Sequence, residues 1–598
     1  MSDKRQGLIG IPFTRVKIFD GFWSPRIDNH QESIIKACLD KCRETGRISN
    51  FDKAAGLTDG EFEGNYFNDS DVYKLVEGIA YSLFHNPNDR LEQETDGIID
   101  RIAAAQQADG YLDTYFILTA PDKKWTDMEK HEDYCAGHLI EAAVEYYKAT
   151  GKGKLLEVAR KLADHIDNIF GEGKRHWVTG HQELELALVK LYHITNETCY
   201  LKLANWFLEE RGHGYGKGVI WGKEEWGTRY CQDDKPIYEM SDVKGHAVRA
   251  MYLYTAVADV AAVTENQGYI DALNRLWDSV VNRNMYITGG IGSTKNNEGF
   301  TSDYDLPNSS AYCETCASVG MVYWNHRMNL LNGDSIYADI LERSLYNGVL
   351  SGVSLDGGKF FYVNPLESDG SHHRQEWYDC SCCPTQIARF IPSVGNYIYA
   401  ASDDTIYINL FISSEVEIPL EAGSVKLIQM TEYPWKGAVN ITLKPQNAQK
   451  FAVKLRYPGW CKKVSIKLNN ESLNDLPLSH GYLKIEKEWK DGDTITADFS
   501  MPAGIVHSDP RVAENTGKAA LQRGPLVYCF EEADNIDTFH KLELHPDMEF
   551  TLDDASNLLS GATVIKTENG HEKYTAVPYY TWDNRKPGGM KVWIKENR

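Results

Sequence analysis

LIEAAVEYYKATGKGKLLEVARKLADHIDNI, residues 139–169, decides how the first two-thirds of the chain is read. From Lys154 onward Leu155, Ala159, Leu162, Ile166 and Ile169 recur every three to four residues, the period of a helix with one buried stripe. Residues 139–147 show the same period, and Ala149-Thr150-Gly151 supplies the turn between the two. Such a helical hairpin cannot bury its own apolar face, so it needs neighbours of the same kind. They follow. Tyr192-His193-Ile194-Thr195-Asn196 leads into YLKLANWFLEE, Ala262-Val263-Thr264-Glu265-Asn266 into YIDALNRLWDSV, and Leu331-Asn332-Gly333-Asp334 into IYADILERSLYNG. Repeated hairpins make a closed ring or a solenoid. Their irregular spacing favours a ring with functional loops.

Near residue 400 the period changes to two. Residues 405–410 (TIYINL), 425–427, 439–443, 453–457, 464–468 and 494–497 alternate apolar with polar, separated by Gly, Pro and Asn turns, as antiparallel β-sandwiches do. After about Pro510 the alternation weakens, with strand-like pieces such as 524–528. The expected architecture is α+β and multidomain. Residues 1–20 form a strand-bearing segment packed on a β-domain, 21–400 a helical ring, 401–509 a β-sandwich and 510–598 a second β-sandwich. Residues from about 20 to 395 should be mainly helical and the remainder mainly strand.

A chain of 598 residues exceeds one core, which agrees with two to four domains. Its net charge of -23 opposes nucleic acid or an anionic membrane as partner, since both attract a positive field. No apolar stretch is long enough to span a bilayer. MSDKRQGLIG lacks the apolar run of a signal peptide, so a cytoplasmic location is expected, or a periplasmic one if a leader has been removed. Of twelve cysteines, seven are scattered, while Cys313, Cys316, Cys380, Cys382 and Cys383 crowd between residues 313 and 383. A disulfide scaffold is short and spreads its cysteines. Clustered thiols point to metal or thiol chemistry instead.

The strings that carry this chemistry are GGIGSTKNNEGF (289–300), YCETCAS (312–318) and DCSCCPT (379–385). Glu314 and Cys316 flank one residue and Cys382 and Cys383 are adjacent, so together they can supply one carboxylate and three thiolates to zinc. Buried small apolar cysteines are the plain alternative. A purely structural zinc site is another, but it usually shows CxxC knuckles, which neither string has.

These strings, with Gly180-His181-Gln182-Glu183-Leu184-Glu185, Gly245-His246-Ala247-Val248-Arg249, residues 361–366 (FYVNPL) and Trp582-Asp583-Asn584-Arg585, resemble glycoside hydrolase family 127, the β-L-arabinofuranosidases. The resemblance runs from about Phe22-Trp23-Ser24-Pro25 to near the end. It implies an (α/α)6 toroid of six hairpins carrying the site, with β-sandwiches behind. It also implies a retaining exo-hydrolase releasing terminal β-L-arabinofuranose or a close relative from a small-molecule or oligosaccharide substrate. Cys382 would be the nucleophile, Glu298 the acid/base, and Glu314, Cys316, Cys382 and Cys383 the Zn2+ ligands. His138, His181, His246 and Tyr362 would line the sugar pocket. Cys380 receives no role.

The chemistry is sound on its own terms. A free thiol has a pKa of about 8.5, and a bound metal holds it as thiolate at neutral pH. Such a thiolate attacks the anomeric carbon in the first of two displacements, which predicts retention. Each of the three histidines follows a glycine and is read as preceding or opening a helix; one such histidine alone would be a cap or a core residue, while three at helix starts of a ring favour a converging set. Asn68-Asp69-Ser70-Asp71 reads as a helix cap, with binding of a sugar hydroxyl as the alternative, and Phe360-Phe361-Tyr362 could equally be plain core. Two rivals remain at this level. One is a ring-shaped lyase or hydrolase acting on uronides with a structural metal, which would need basic residues near the carboxylate; the other is a non-catalytic carbohydrate-binding protein. The carboxy-terminal β-domain is a candidate homodimer surface.

Overall fold

The structure, a computed structural model, describes residues 7–223, 226–554, 559–569 and 572–597. Among these, twelve helices pair into six hairpins: α1 (Lys36–Glu44), α2 (Asp69–His85), α3 (Asp89–Ala105), α4 (Glu132–Thr150), α5 (Lys154–Ile169), α6 (Leu184–Thr195), α7 (Thr198–Glu209), α8 (Ala247–Thr264), α9 (Gln267–Arg283), α10 (Thr315–Asn332), α11 (Ser335–Arg343) and α12 (Cys382–Phe390). The even-numbered helices form an inner wall, each packed on the next, and α12 packs back on α2 to close a toroid. The odd-numbered helices surround it. Helix dominates the chain up to Tyr397 and strand thereafter.

The joins read from sequence are where the backbone reverses. Gly151, Asn196, Glu265 and Gly333 each end an inner helix in the left-handed region, with φ of 76°, 59°, 56° and 66°. Asn266 then caps α9, its Oδ1 accepting the amides of Gly268 and Tyr269 at 3.0 and 3.3 Å. The outer helices show the predicted stripe: Leu155, Ala159, Leu162 and Ile166 of α5 are buried, each large side chain contributing about 1.5–3 kcal/mol, while Ile169 is half-buried. Inner helices are buried on every side; from Asp69 to Leu83 α2 has no exposed residue.

Polar residues inside that wall are tied together. Arg389 of α12 donates to Glu77 of α2 at 2.8 Å, to Glu141 of α4 and, at 3.2 Å, to the Tyr252 hydroxyl of α8. Lys190 of α6 also reaches Glu141. Burial and the Glu141 charge push Glu183 beside this network well above the usual carboxylate range.

Residues 1–20 were expected to pack on a β-domain. Ile9–Gly10 edges a six-stranded sheet beside Tyr399–Ser402, and Val16–Ile18 edges the facing seven-stranded sheet beside Ser414–Leu420. The alternating runs of residues 405–499 form the rest of that sandwich. A ten-stranded sheet system follows, and Glu367–Ser368 from the ring joins it by pairing with Met590–Lys591. Two details correct the sequence reading. Ala503–Val506 pairs with Lys518–Arg523, so the strand at 503–506 belongs with the last unit, which the sequence reading began at 510. This strand is half-buried throughout and shows no alternation to detect. Gly524-Pro525 is the two-residue turn between Lys518–Arg523 and Leu526–Glu531, not strand.

Ring closure leaves no room at Gly78 of α2. A Cβ there would sit 2.4 Å from the carbonyl oxygen of Ala388 on α12. Gly78→Ala should therefore destabilise by about 1–3 kcal/mol in chemical denaturation. Helix propensity alone predicts the opposite sign, a gain of roughly 1 kcal/mol.

Candidate active site

Cys382 and Cys383 are the first two residues of α12, and Glu314 is the N-cap of α10 with Cys316 in its first turn. Two helix N-termini thus bring four acid groups together. Their ligand atoms lie within 4.8 Å of one another, so this cluster can hold a metal ion. Cys316 Sγ is 3.4 Å from Cys383 Sγ, and Cys382 Sγ is 3.9 Å from Cys383 Sγ. Glu314 Oε1 lies 3.5 Å from Cys382 Sγ and 3.7 Å from Cys383 Sγ, while its buried Oε2 has no hydrogen-bond partner. Burial and the neighbouring Cys382 push the Glu314 carboxyl far above its usual range. Four converging acids with an orphaned carboxylate oxygen are a donor set suited to a cation.

The turn holding Cys382 is braced by residues the sequence reading assigned elsewhere. Asp71 was read as part of a cap. In the structure Asn68 occupies the N-cap of α2 but makes no side-chain cap bond, and Asp69 instead accepts the Thr114 amide at 2.7 Å. Asp71 pairs with Arg47 at 2.9 Å and accepts Thr385 Oγ1 at 3.2 Å. Arg47 also donates to the Asp379 carbonyl at 2.9 Å and to Ser381 Oγ at 3.1 Å, so one buried ion pair grips both sides of the thiol turn.

Glu298 faces the cluster from the loop at 289–300. Its φ is 51°, and its carbonyl accepts the Ala247 amide at 3.1 Å. A Cβ at the next residue, Gly299, would stand 1.8 Å from the Gly245 carbonyl oxygen, so only glycine lets the loop lie against the start of α8. His246 Nδ1 accepts the Arg249 amide at 3.2 Å, which leaves the neutral ring's proton on Nε2, 3.5 Å from Glu298 Oε2. The Tyr312 hydroxyl donates to the same oxygen at 3.2 Å. Burial raises the Glu298 pKa, but the His246 and Tyr312 bonds and the Arg249 charge outweigh it and hold the carboxyl down at about 2.

The other sequence-predicted residues separate into two groups. The Tyr362 hydroxyl lies 3.3 Å from Cys382 Sγ and 3.7 Å from Cys380 Sγ, so Tyr362 faces the cluster while Phe360 and Phe361 are core. His181 and His246 approach each other, with ring centroids 5.7 Å apart. His138 does not open a helix: it lies in the second turn of α4, because α4 begins at Glu132. It is fully buried, its Nδ1 2.9 Å from Glu183 Oε1 without hydrogen-bond alignment. Burial pushes its pKa far down. Tyr134 fills the space in front, 4.3 Å from the His138 ring and 4.4 Å from His181. Tyr134, His131 and the buried Lys74, which donates to the Tyr134 hydroxyl at 2.7 Å, were not singled out from sequence. No motif marks them.

Family models match nearly the whole chain: a β-L-arabinofuranosidase GH127 catalytic domain over residues 15–396, a GH127 middle domain over 405–501 and a family 127 C-terminal domain over 503–595. The chain belongs to glycoside hydrolase family 127. A curated relative, the non-reducing end β-L-arabinofuranosidase of Bifidobacterium longum subsp. longum, is 37% identical over 91% of this chain and 92% of its own. Among solved structures, Ara127N-Se, a GH127 β-L-arabinofuranosidase from Geobacillus stearothermophilus T6, is 40% identical with TM-score 0.93, covering 97% of this chain and all of that one. A GH127 β-arabinofuranosidase, BT3674, is 39% identical with TM-score 0.93, over 100% of this chain and 99% of its own. Membership of family 127 makes this chain a glycoside hydrolase and removes the lyase and binding-protein readings. Among the described residues no helix is long and apolar enough to cross a membrane.

Exposure distinguishes the thiols. Cys316 and Cys383 are buried, whereas Cys382 is half-buried and reachable. In chelator-treated protein, iodoacetamide should modify Cys382 well before Cys316 or Cys383, and a bound metal should protect it. Peptide mass mapping of loaded and stripped samples reads this directly.

Proposed function

We propose that this family 127 member is a retaining exo-β-L-arabinofuranosidase in which zinc-bound Cys382 is the nucleophile and Glu298 the acid/base. The observation that carries the reading is the S3O cluster, with its one half-exposed sulfur beside Glu298's loop. A tetrahedral zinc with metal–sulfur bonds of about 2.3 Å has sulfur–sulfur edges of roughly 3.8 Å. The Cys316–Cys383 and Cys382–Cys383 separations of 3.4 and 3.9 Å are close to that. Glu314, Cys316, Cys382 and Cys383 would be its ligands. When bound, zinc keeps the thiols ionised and shares the charge of the attacking sulfur, which also makes that sulfur a better leaving group.

The chain's own residues do the rest. Cys382 Sγ attacks the anomeric carbon while Glu298 gives its proton to the departing oxygen; Glu298 then takes a proton from water, which displaces sulfur and restores the anomeric configuration. Glu298 is held as a carboxylate by His246 and Tyr312 in the free site. Acting as acid therefore requires a proton taken up as the bound sugar excludes water, since desolvation favours the neutral form. His181, His246 and Tyr362 would meet the sugar hydroxyls, with His138 holding the wall from behind. The substrate is a small molecule or oligosaccharide ending in β-L-arabinofuranose.

Cys382→Ser should abolish turnover. A mechanism-based furanose inhibitor should add its mass to the peptide holding Cys382; an adduct on Glu314 would refute the thiolate mechanism. Glu298→Gln should slow a glycoside with a poor leaving group by about 10²–10⁴-fold and an activated aryl furanoside far less.

A further inference from the structure

The Trp582-Asp583-Asn584-Arg585 turn lies outside the ring, yet its contacts run to the cluster. Asp583, at φ 56°, accepts the Arg374 amide through Oδ2 at 2.8 Å and contacts His373 Nδ1 through Oδ1 at 2.8 Å. Asn584 Oδ1 accepts the Leu355 amide at 2.8 Å. The segment so gripped lies along residues 360–363. Phe360 and Gln375 exchange backbone bonds at 2.8 and 2.9 Å, and His372 Nε2 meets the Val363 carbonyl at 2.9 Å. Phe361 is stacked by His372 at 4.9 Å and by Trp582 at 4.7 Å, with the Arg374 guanidinium 4.1 Å from its ring centre.

On its other side this strip holds the metal-ligand segment. The Tyr362 carbonyl accepts the Thr315 amide at 3.0 Å and the Phe361 carbonyl accepts Thr315 Oγ1 at 2.7 Å. Asn364 Nδ2 donates to the Cys313 carbonyl at 2.9 Å. The strip thus lies between Glu314 and Cys316 on one flank and the C-terminal unit on the other, with Tyr362 at its centre.

We propose that Trp582 and Asp583 are positioning residues for the chemistry, a latch by which the C-terminal unit holds the Tyr362 hydroxyl on Cys382 Sγ. The proposal rests on Cys382 being the nucleophile. Tyr362 touches the sulfur; the latch acts through it. A hydroxyl 3.3 Å from the sulfur is a hydrogen-bond partner for the thiolate and orients its lone pairs, and this function needs the strip fixed to a fraction of an ångström.

A double-mutant cycle on the full-length, metal-loaded enzyme tests it, with an aryl β-L-arabinofuranoside as probe. Asp583→Asn keeps a residue type that tolerates positive φ while replacing one of the two acceptor oxygens by a donor, so that Arg374 and His373 can no longer both be met by a carboxylate. It should lower kcat by roughly tenfold or more, leave KM within about twofold and retain the metal by elemental analysis. The double variant Tyr362→Phe with Asp583→Asn should be no slower than Tyr362→Phe alone. Rate losses that multiply, or wild-type kcat in Asp583→Asn, would overturn the latch. If thermal melting shows Asp583→Asn misfolded, the same cycle with Trp582→Phe, which keeps the backbone contacts and shrinks only the stacked ring, decides between the same two outcomes. Wild-type kcat in Tyr362→Phe would overturn the tyrosine's role at the sulfur, a failure distinct from additivity. An inhibitor adduct absent from Cys382 would overturn the underlying mechanism itself.

Discussion

Arg389 is the group on which the ring depends. It sits on the last inner helix, fully enclosed, and binds groups on the first, second and fourth inner helices. A guanidinium removed from water is tolerated only when its donors are taken and its charge is matched. Glu77 and Glu141 answer Arg389, and Lys190 reaches Glu141 as well. The same nine-residue helix that ends near Arg389 starts with Cys382 and Cys383. Seating the guanidinium therefore fixes the pitch and rotation of the helix that presents the thiols.

The site draws on three successive inner helices of that ring. The sulfur cluster comes from α10 and α12, whereas the loop carrying Glu298 is fastened to the start of α8, where His246 both caps the helix and faces Glu298. The histidine's two nitrogens have separate tasks, one satisfied by a backbone amide and the other directed at the carboxylate. Local helix geometry thereby selects the tautomer that Glu298 meets.

What was legible in the sequence follows from range. Outer helices such as α5 face water on one side and write a period into the chain; their αL reversals at Gly151 and Gly333 write a turn. Inner helices meet protein on all sides, so α2 carries no stripe and Asp71 looked like a cap. Its partner Arg47 is near in sequence, but Thr385 is 314 residues away, and no local pattern encodes that contact. The cysteine cluster was visible because thiols are rare and crowded, and Tyr362 through its family context. Tyr134 and Lys74 remained hidden, since a buried tyrosine beside a lysine on another helix is specified only by the assembled wall. His138 was misplaced because a glycine before a histidine resembles a helix start, whereas here it lies mid-helix.

The edge strands at the amino terminus have a consequence for synthesis. Ile9 pairs with Ala401 and Val16 with Val416, and the seam between α2 and α12 cannot form before Ala388 exists. A ribosome extending the chain at about 5–20 residues per second leaves the first inner helix waiting on the order of tens of seconds for the helix that completes its wall. During that interval an open arc of hairpins presents the apolar flank of α2 to the cell. The ring thus stays open until the segment that also brings the thiols has emerged.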